Sequence, residues 1–313
     1  MQFGIYDFLC QIDSETVLPD YKGSTIRGSL GHALRNLVCT LTRQECQNCL
    51  LNQRCIYALF FETPLYFQEQ MDKRFPSPPT PYVIEPTMDS KRIYQKGDHL
   101  PFRLILFGTA NSHLPYVIYA IEQMGRVGLG KMIDGHRGKF VLKSVSCGNE
   151  IVYSDQTKQI VNIPPESFSL KNCVSVSNMT SIKVILKTPL RFKYQNRLIR
   201  ELPFHVLVRA GIRRLTSLFN YYGEGEPDMD YKQLVIDAEK ISSESSNIQW
   251  FDWDRYSNRQ SSMIKLGGIS GDIIYHGNVA PFASLLSFCQ MFHVGKQTAF
   301  GLGKINIQEN HHG

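Results

Sequence analysis

The sequence has no apolar run near the roughly 18 residues that a membrane-spanning helix requires. Its first residues, MQFGIYDFLCQID, carry neither a basic start nor a cleavable apolar stretch. No charge of one sign dominates. Lysine and arginine number 34 against 28 aspartates and glutamates, a net charge of +6 that permits a polyanionic partner without demanding one. Hydrophobic residues make up 42% and charged residues 20%, which excludes a disordered chain. A soluble, cytoplasmic globular protein is expected, with no membrane partner. Its 313 residues suffice for one large domain or two of about 150.

Eight cysteines are present, and the absence of a secretory signal argues against a disulfide framework. Four of them, Cys39, Cys46, Cys49 and Cys55, fall in one short segment with spacing C-x6-C-x2-C-x5-C. In a reducing compartment this pattern predicts a metal site, and four thiolates would close a structural zinc site with no open catalytic position. Cys10, Cys147, Cys173 and Cys289 are scattered and read as small buried hydrophobes.

The chain repeats itself. VGLGKM (127–132) lines up with FGLGKI (300–305). Each copy follows a strand-like run and a helical run: FRLILFG (102–108) with LPYVIYAIEQM (114–124), and GDIIYHG (271–277) with PFASLLSFCQMF (281–292). Each leads into a last strand, GKFVLKSV (138–145) or KINIQ (304–308). Earlier in each half lie a strand, 3–12 or 181–192, and an amphipathic helix, 24–39 or 204–219. In MIKLGGISGDIIYHG the Gly-Gly pair is expected to be a hairpin turn.

The order strand, helix, strand, strand, helix, strand predicts an α+β fold of two tandem ferredoxin-like (βαββαβ, RRM-like) domains. The expected boundaries are 1–150, with a cysteine insertion at 39–55, a linker at 151–179, and a second domain at 180–313.

The Gly-rich loops match neither usual nucleotide fingerprint. A Walker loop runs from a strand into a helix and ends in K-[ST], whereas Gly301-Leu302-Gly303-Lys304 runs from a helix into a strand and Ile305 follows. A Rossmann loop opens a helix, and this one closes one. An extended polyanion lying over the loop is the expectation, with Gly301 and Gly303 exposing amides and Lys296 and Lys304 supplying charge. A tight helix-to-strand connection is the structural alternative.

GSTIRGSLGHALRNLVC (23–39), DWDRYSNRQ (252–260) and HVGKQTAFGLGK (293–304) resemble motifs of the RAMP superfamily, in particular the CRISPR-associated endoribonucleases that process precursor CRISPR RNA. The segment continuing into CIYALFFETP (55–64) is similar to a branch of that family with an N-terminal cysteine cluster. The resemblance spans nearly the whole chain. It implies a CRISPR repeat RNA substrate in precursor transcripts, a prokaryotic cytoplasm, and association with CRISPR effector subunits. It also implies a reaction with no catalytic cofactor, in which a ribose 2′-OH attacks the adjacent phosphate to leave a 2′,3′-cyclic phosphate.

Such chemistry needs a base, a proton donor and positive charge on the phosphorane. Histidine suits the first two roles near neutral pH. His32 points away from the apolar stripe of its helix, between Gly28 and Arg35, and is the first candidate. His293, at the mouth of the Gly-rich loop, is the second. Tyr21 and Lys22, just before the first helix, are candidate assistants. Arg27, Arg35, Arg209, Arg213, Arg255 and Arg259 are candidate RNA contacts, with Arg214 as a further groove residue. Trp250 and Trp253 read as hairpin core. Two other readings fit the same pattern: a RAMP subunit that binds CRISPR RNA without cutting it, and a zinc-containing nucleic-acid-binding regulator.

Overall fold

In QFGIYDFLCQI, Tyr6, Phe8, Cys10 and Ile12 are buried while Ile5, Asp7, Leu9 and Gln11 stay partly open, the period of two that makes a half-buried strand. A computed structural model of the chain describes residues 1–170, 179–194, 197–198, 200–257 and 262–309. It forms two compact units, Met1–Ser167 and Phe168–Gly313.

The first unit begins with strand β1 (Gln2–Ile12) and helix α1 (Gly23–Val38), which buries Ile26, Leu30 and Leu34 at helical spacing. The short helix α2 (Ile56–Phe61) follows the cysteine segment. Then come β2 (Tyr82–Pro86), β3 (His99–Phe107), α3 (Leu114–Val127), β4 (Phe140–Cys147) and β5 (Glu150–Ser154). The antiparallel order is β2-β3-β1-β4-β5, with Glu166–Ser167 pairing to the start of β1. α3 buries Val117, Ile118, Ile121 and Met124.

The second unit contains β6 (Ser181–Leu190), α4 (Phe204–Tyr222), α5 (Tyr231–Ala238), β7 (Ser242–Ser257), β8 (Ser262–His276), α6 (Ala283–Phe292) and β9 (Ile305–Glu309). Its order is β7-β8-β6-β9, again antiparallel. In both sheets the first strand lies between the second hairpin strand and the strand after the second helix. The fold is α+β and ferredoxin-like, repeated twice. An edge-to-face cluster of Phe204 with Tyr275 and Phe282, each at 5.0 Å, helps fill the second core. Replacing one such ring by alanine costs about 3–5 kcal/mol. Among the described residues no helix is long and apolar enough to cross a membrane.

Two sequence expectations are corrected. Gly267 and Gly268 are not a turn; they lie inside β8, whose hairpin partner is β7. A Cβ at Gly268 would run into the Leu190 carbonyl, and one at Gly267 into the Asp252 carboxylate. These glycines let the strand pass close to both neighbours. The stretch 151–179, expected as linker, is sheet where it begins. Residues 150–154 pair with β4 and bury Val152 and Tyr153.

Candidate nucleic-acid interface

The N-terminal residue flanking α1 is Lys22, whose carbonyl accepts the Ile26 amide at 3.0 Å. Along the helix, Ile26, Leu30 and Leu34 face the core, which turns His32 and Gly28 outward. Both are exposed, and a Cβ at Gly28 would meet nothing within 4 Å. The open surface of this helix therefore presents an imidazole with free space one turn before it.

Arg27 and Arg35 flank that surface and lean on the next helix. Tyr57 and Phe61 of α2 stack at 5.4 Å, one helical turn apart. The Arg35 guanidinium lies 5.7 Å from the Tyr57 ring centre and that of Arg27 lies 5.2 Å from Phe61. Arg27 also lies beside the hydroxyl of buried Tyr82, and Arg35 beside the Cys39 thiol. Desolvation pulls the Arg35 pKa down, and the Cys46, Tyr57 and Cys39 groups outweigh it, leaving it above its ordinary value. Between them sits Gly31, where a Cβ would meet Phe61 at 2.9 Å. Arg27 is thus largely committed within the unit, whereas Arg35 borders the His32 surface.

Tyr21 and Lys22 are corrected as groups facing a substrate, because both are buried. Lys22 Nζ donates to the Asp89 carbonyl at 2.8 Å and pairs with its carboxylate at 3.2 Å. Burial, aided by Glu85, pushes the Tyr21 hydroxyl far above its usual pKa. These two side chains anchor the start of α1.

Beside α1, the first Gly-rich copy forms a small hairpin of Leu129–Ile133 with His136–Gly138. Lys131, His136, Arg137 and Lys139 are exposed there. The Asp134-Gly135 turn, with positive φ at both residues, was the available signal for this basic hairpin.

In the second unit, Arg209 and Arg213 are exposed on α4, and Arg209 pairs with Glu239 at 3.3 Å. Arg214 is corrected as a groove residue. It is buried, donates to the Phe292 carbonyl at 3.3 Å, and is lowered by burial to a pKa of about 10.

His293 is fully buried with φ +61°, and its Nδ1 lies 3.0 Å from the Leu302 carbonyl. A carbonyl only accepts, so Nδ1 carries the proton and donates. The expectation of free amides in the Gly-rich loop is also corrected. The Gly301 amide donates to the Thr298 carbonyl at 2.8 Å, and the Gly303 amide to Pro189 at 3.1 Å. The amides of Lys296 and Lys304 donate to the Arg191 carbonyl at 3.0 Å and the Thr188 hydroxyl at 2.9 Å. Gly301 and Gly303 hold φ of +89° and +76°, where an L side chain is strained. The loop spends its amides on folding, and Lys296 is its exposed cation while Lys304 is half-exposed. Arg255's side chain and Arg259 lie outside the described residues, as do His311 and His312. Trp250 and Trp253 are half-buried, with Phe251 edge-on to Trp253 at 4.9 Å.

The four clustered cysteines are unbonded and half-buried. Among the described residues no group of three or more His, Cys, Asp or Glu is arranged to hold a metal ion.

The fold is thus two ferredoxin-like units, each with a Gly-rich segment between its second helix and last strand. Residues 1–165 match the AF_1859_N family model, an N-terminal domain, and residues 184–305 match that of the CRISPR-associated endoribonuclease Cas6. The first of these models covers more than half of the chain, so the chain belongs to the AF_1859_N family, while residues 184–305 carry its likeness to Cas6. It is 25% identical over 300 residues to an uncharacterized protein of Archaeoglobus fulgidus, covering 93% of each chain. Its fold resembles a Cas6 product complex with a TM-score of 0.57 at 10% identity, covering 98% of this chain and 100% of that one. Thermus thermophilus Cas6 aligns with a TM-score of 0.53 at 9% identity, covering 98% of both chains. A chain of a partial Cas6-RT-Cas1–Cas2 complex aligns at 0.59 and 13% identity; this chain is covered to 99% and spans 46% of that one.

Proposed function

We propose that this protein cuts CRISPR repeat RNA in precursor transcripts, releasing guide RNAs by transesterification. The carrying observation is the exposed imidazole of His32 on α1, with open space at Gly28 and a guanidinium at Arg35. His32 takes the proton of the 2′-OH or returns one to the leaving 5′-oxygen, the work an imidazole does near neutral pH. The 2′-oxygen attacks phosphorus, the bond to the 5′-oxygen breaks, and a 2′,3′-cyclic phosphate and a 5′-OH result. Arg35 stabilises the phosphorane charge, and the Leu129–Gly138 hairpin holds flanking phosphates. His293 maintains the Gly-rich loop and does not touch the reacting atoms. Lys296 and Arg213 add phosphate contacts. Assembly of the product complex with other CRISPR proteins follows from the same reading.

The test is a repeat RNA with 2′-deoxyribose at the scissile nucleotide. Uncut deoxy substrate, bound as tightly as RNA that is cut once, supports the mechanism. Equal cutting of both overturns it, and tight binding of RNA with no cutting supports a non-catalytic RAMP subunit.

A further inference from the structure

Helix α2 has six residues, too few to hold a helix together in water, so packing sets its place. Ala58, Leu59 and Phe60 are buried. The Phe60 and Phe61 rings lie 5.6 and 5.8 Å from the ring of buried Tyr82. The Leu59 carbonyl accepts the Thr63 hydroxyl at 3.1 Å, which fixes the end of the helix. With that face committed to the core, Tyr57 and Phe61 meet α1. Both are half-buried, and their rings stack at 5.4 Å with planes 15° apart. Gly31 permits the approach, since a Cβ there would meet the Phe61 ring at 2.9 Å.

The arginines of α1 that lie over this aromatic pair differ in their other neighbours. Arg27, 5.2 Å from the Phe61 ring centre, also lies beside the buried Tyr82 hydroxyl. Arg35, 5.7 Å from that of Tyr57, sits one turn beyond His32 at the border of the exposed surface. A long, flexible side chain at such a border samples many rotamers unless something holds it. Ordering it only as the transition state forms slows the reaction. A ring takes up the flat face of a guanidinium and leaves its N–H edge, which bonds phosphate oxygens, to other partners.

We infer that Tyr57 is a positioning residue for RNA cleavage. Its ring, backed by Phe61, holds the Arg35 guanidinium where negative charge develops on the phosphorane beside His32. The inference rests on the nuclease reading above. Tyr57 itself touches no reacting atom, and the ring does the holding without need of its hydroxyl.

The experiment is single-turnover cleavage of the repeat RNA by the full chain, with RNA affinity measured in parallel. The variants are Tyr57→Phe, Tyr57→Leu, Arg35→Ala and the Tyr57→Leu/Arg35→Ala pair. Tyr57→Phe keeps the ring and should cut within about twofold of the wild-type rate. Tyr57→Leu should cut about tenfold more slowly at unchanged affinity. The double variant should be no slower than Arg35→Ala, because Tyr57 acts only through Arg35. Should Tyr57→Leu not fold, Arg35→Lys carries the test. It keeps the charge but not the stacking plane, and should retain affinity while cutting about tenfold more slowly.

Equal slowing by Tyr57→Leu with and without Arg35 would make Tyr57 a packing residue and overturn the inference. So would wild-type rates in Tyr57→Leu or in Arg35→Lys, or a Tyr57→Phe as slow as Tyr57→Leu. Those results leave the nuclease reading standing, whereas a wild-type chain that binds the RNA and cuts nothing overturns both.

Discussion

Nδ1 of His293 lies 3.0 Å from the carbonyl oxygen of Leu302, and Arg214 donates to the carbonyl of Phe292, the residue before it. Two side chains with the chemistry of catalysis and phosphate binding are thereby turned inward. His293 ties the end of α6 to the Gly-rich loop, and Arg214 ties it to α4. His293→Ala should leave the Leu302 carbonyl without this donor and lower stability by about 1–3 kcal/mol. RNA affinity should fall with the melting temperature, and the pH profile of cleavage should not move. Loss of cleavage at an unchanged melting temperature would instead make His293 a catalytic residue.

Lys22 is a further cation turned inward, and it pairs with the half-exposed Asp89. Desolvation pushes the Asp89 carboxyl up, but the Thr87 hydroxyl, the Lys22 ammonium and the Lys91 amide outweigh it and hold its pKa below the usual range. A depressed carboxylate contributes stability that is present above its unfolded pKa of about 3.9 and lost as pH falls through the folded value. Asp89→Asn should cost roughly 1–2 kcal/mol at neutral pH, discounted because Asp89 is partly exposed. The difference from wild type should shrink as pH falls through the depressed folded value of Asp89 and vanish below it. Melting temperatures across an acid series would show it; a constant difference down to the lowest pH would contradict the pair's role.

Gly28 and Gly31 lie one turn apart on α1 yet predict opposite results. Gly31→Ala meets Phe61 and should destabilise the α1–α2 packing. Gly28→Ala enters open space and should stabilise the helix by about 0.5–1 kcal/mol. If an RNA backbone passes over Gly28, that more stable variant should bind or cut RNA about tenfold worse. Full activity would mean that the RNA passes elsewhere.

Lys296 and Arg213 are exposed cations of the second unit. Replacing either with alanine should weaken RNA binding similarly across sequences and reduce the salt dependence of log K by roughly one. Binding measured over a salt series would show it. An unchanged slope would remove that side chain from the interface.

The repeated strand–helix plan was legible because Ile26, Leu30 and Leu34, or Leu207, Leu215 and Leu218, mark buried stripes by period alone. His32 was legible as an outward residue for the same reason. What was not legible depends on tertiary neighbours. Lys22 reads as a solvated loop lysine until Asp89, 67 residues later, meets it. The Gly267-Gly268 pair has turn composition, and only the approach of Leu190 and Asp252 shows why a strand needs it. The composition of the loop suggests glycines open to an anion, whereas Thr188, Pro189 and Arg191 of another segment accept from the amides of Lys304, Gly303 and Lys296.

The central claim is that α1 carries the chemistry through His32. Its most direct measurement is single-turnover cleavage of the cognate repeat RNA in EDTA by wild type and His32→Ala, with affinity measured in parallel. The account predicts one cut by wild type with a 2′,3′-cyclic phosphate end, and a rate reduced about 10²–10⁴-fold in the variant at unchanged affinity. Cleavage by His32→Ala at the wild-type rate would contradict it.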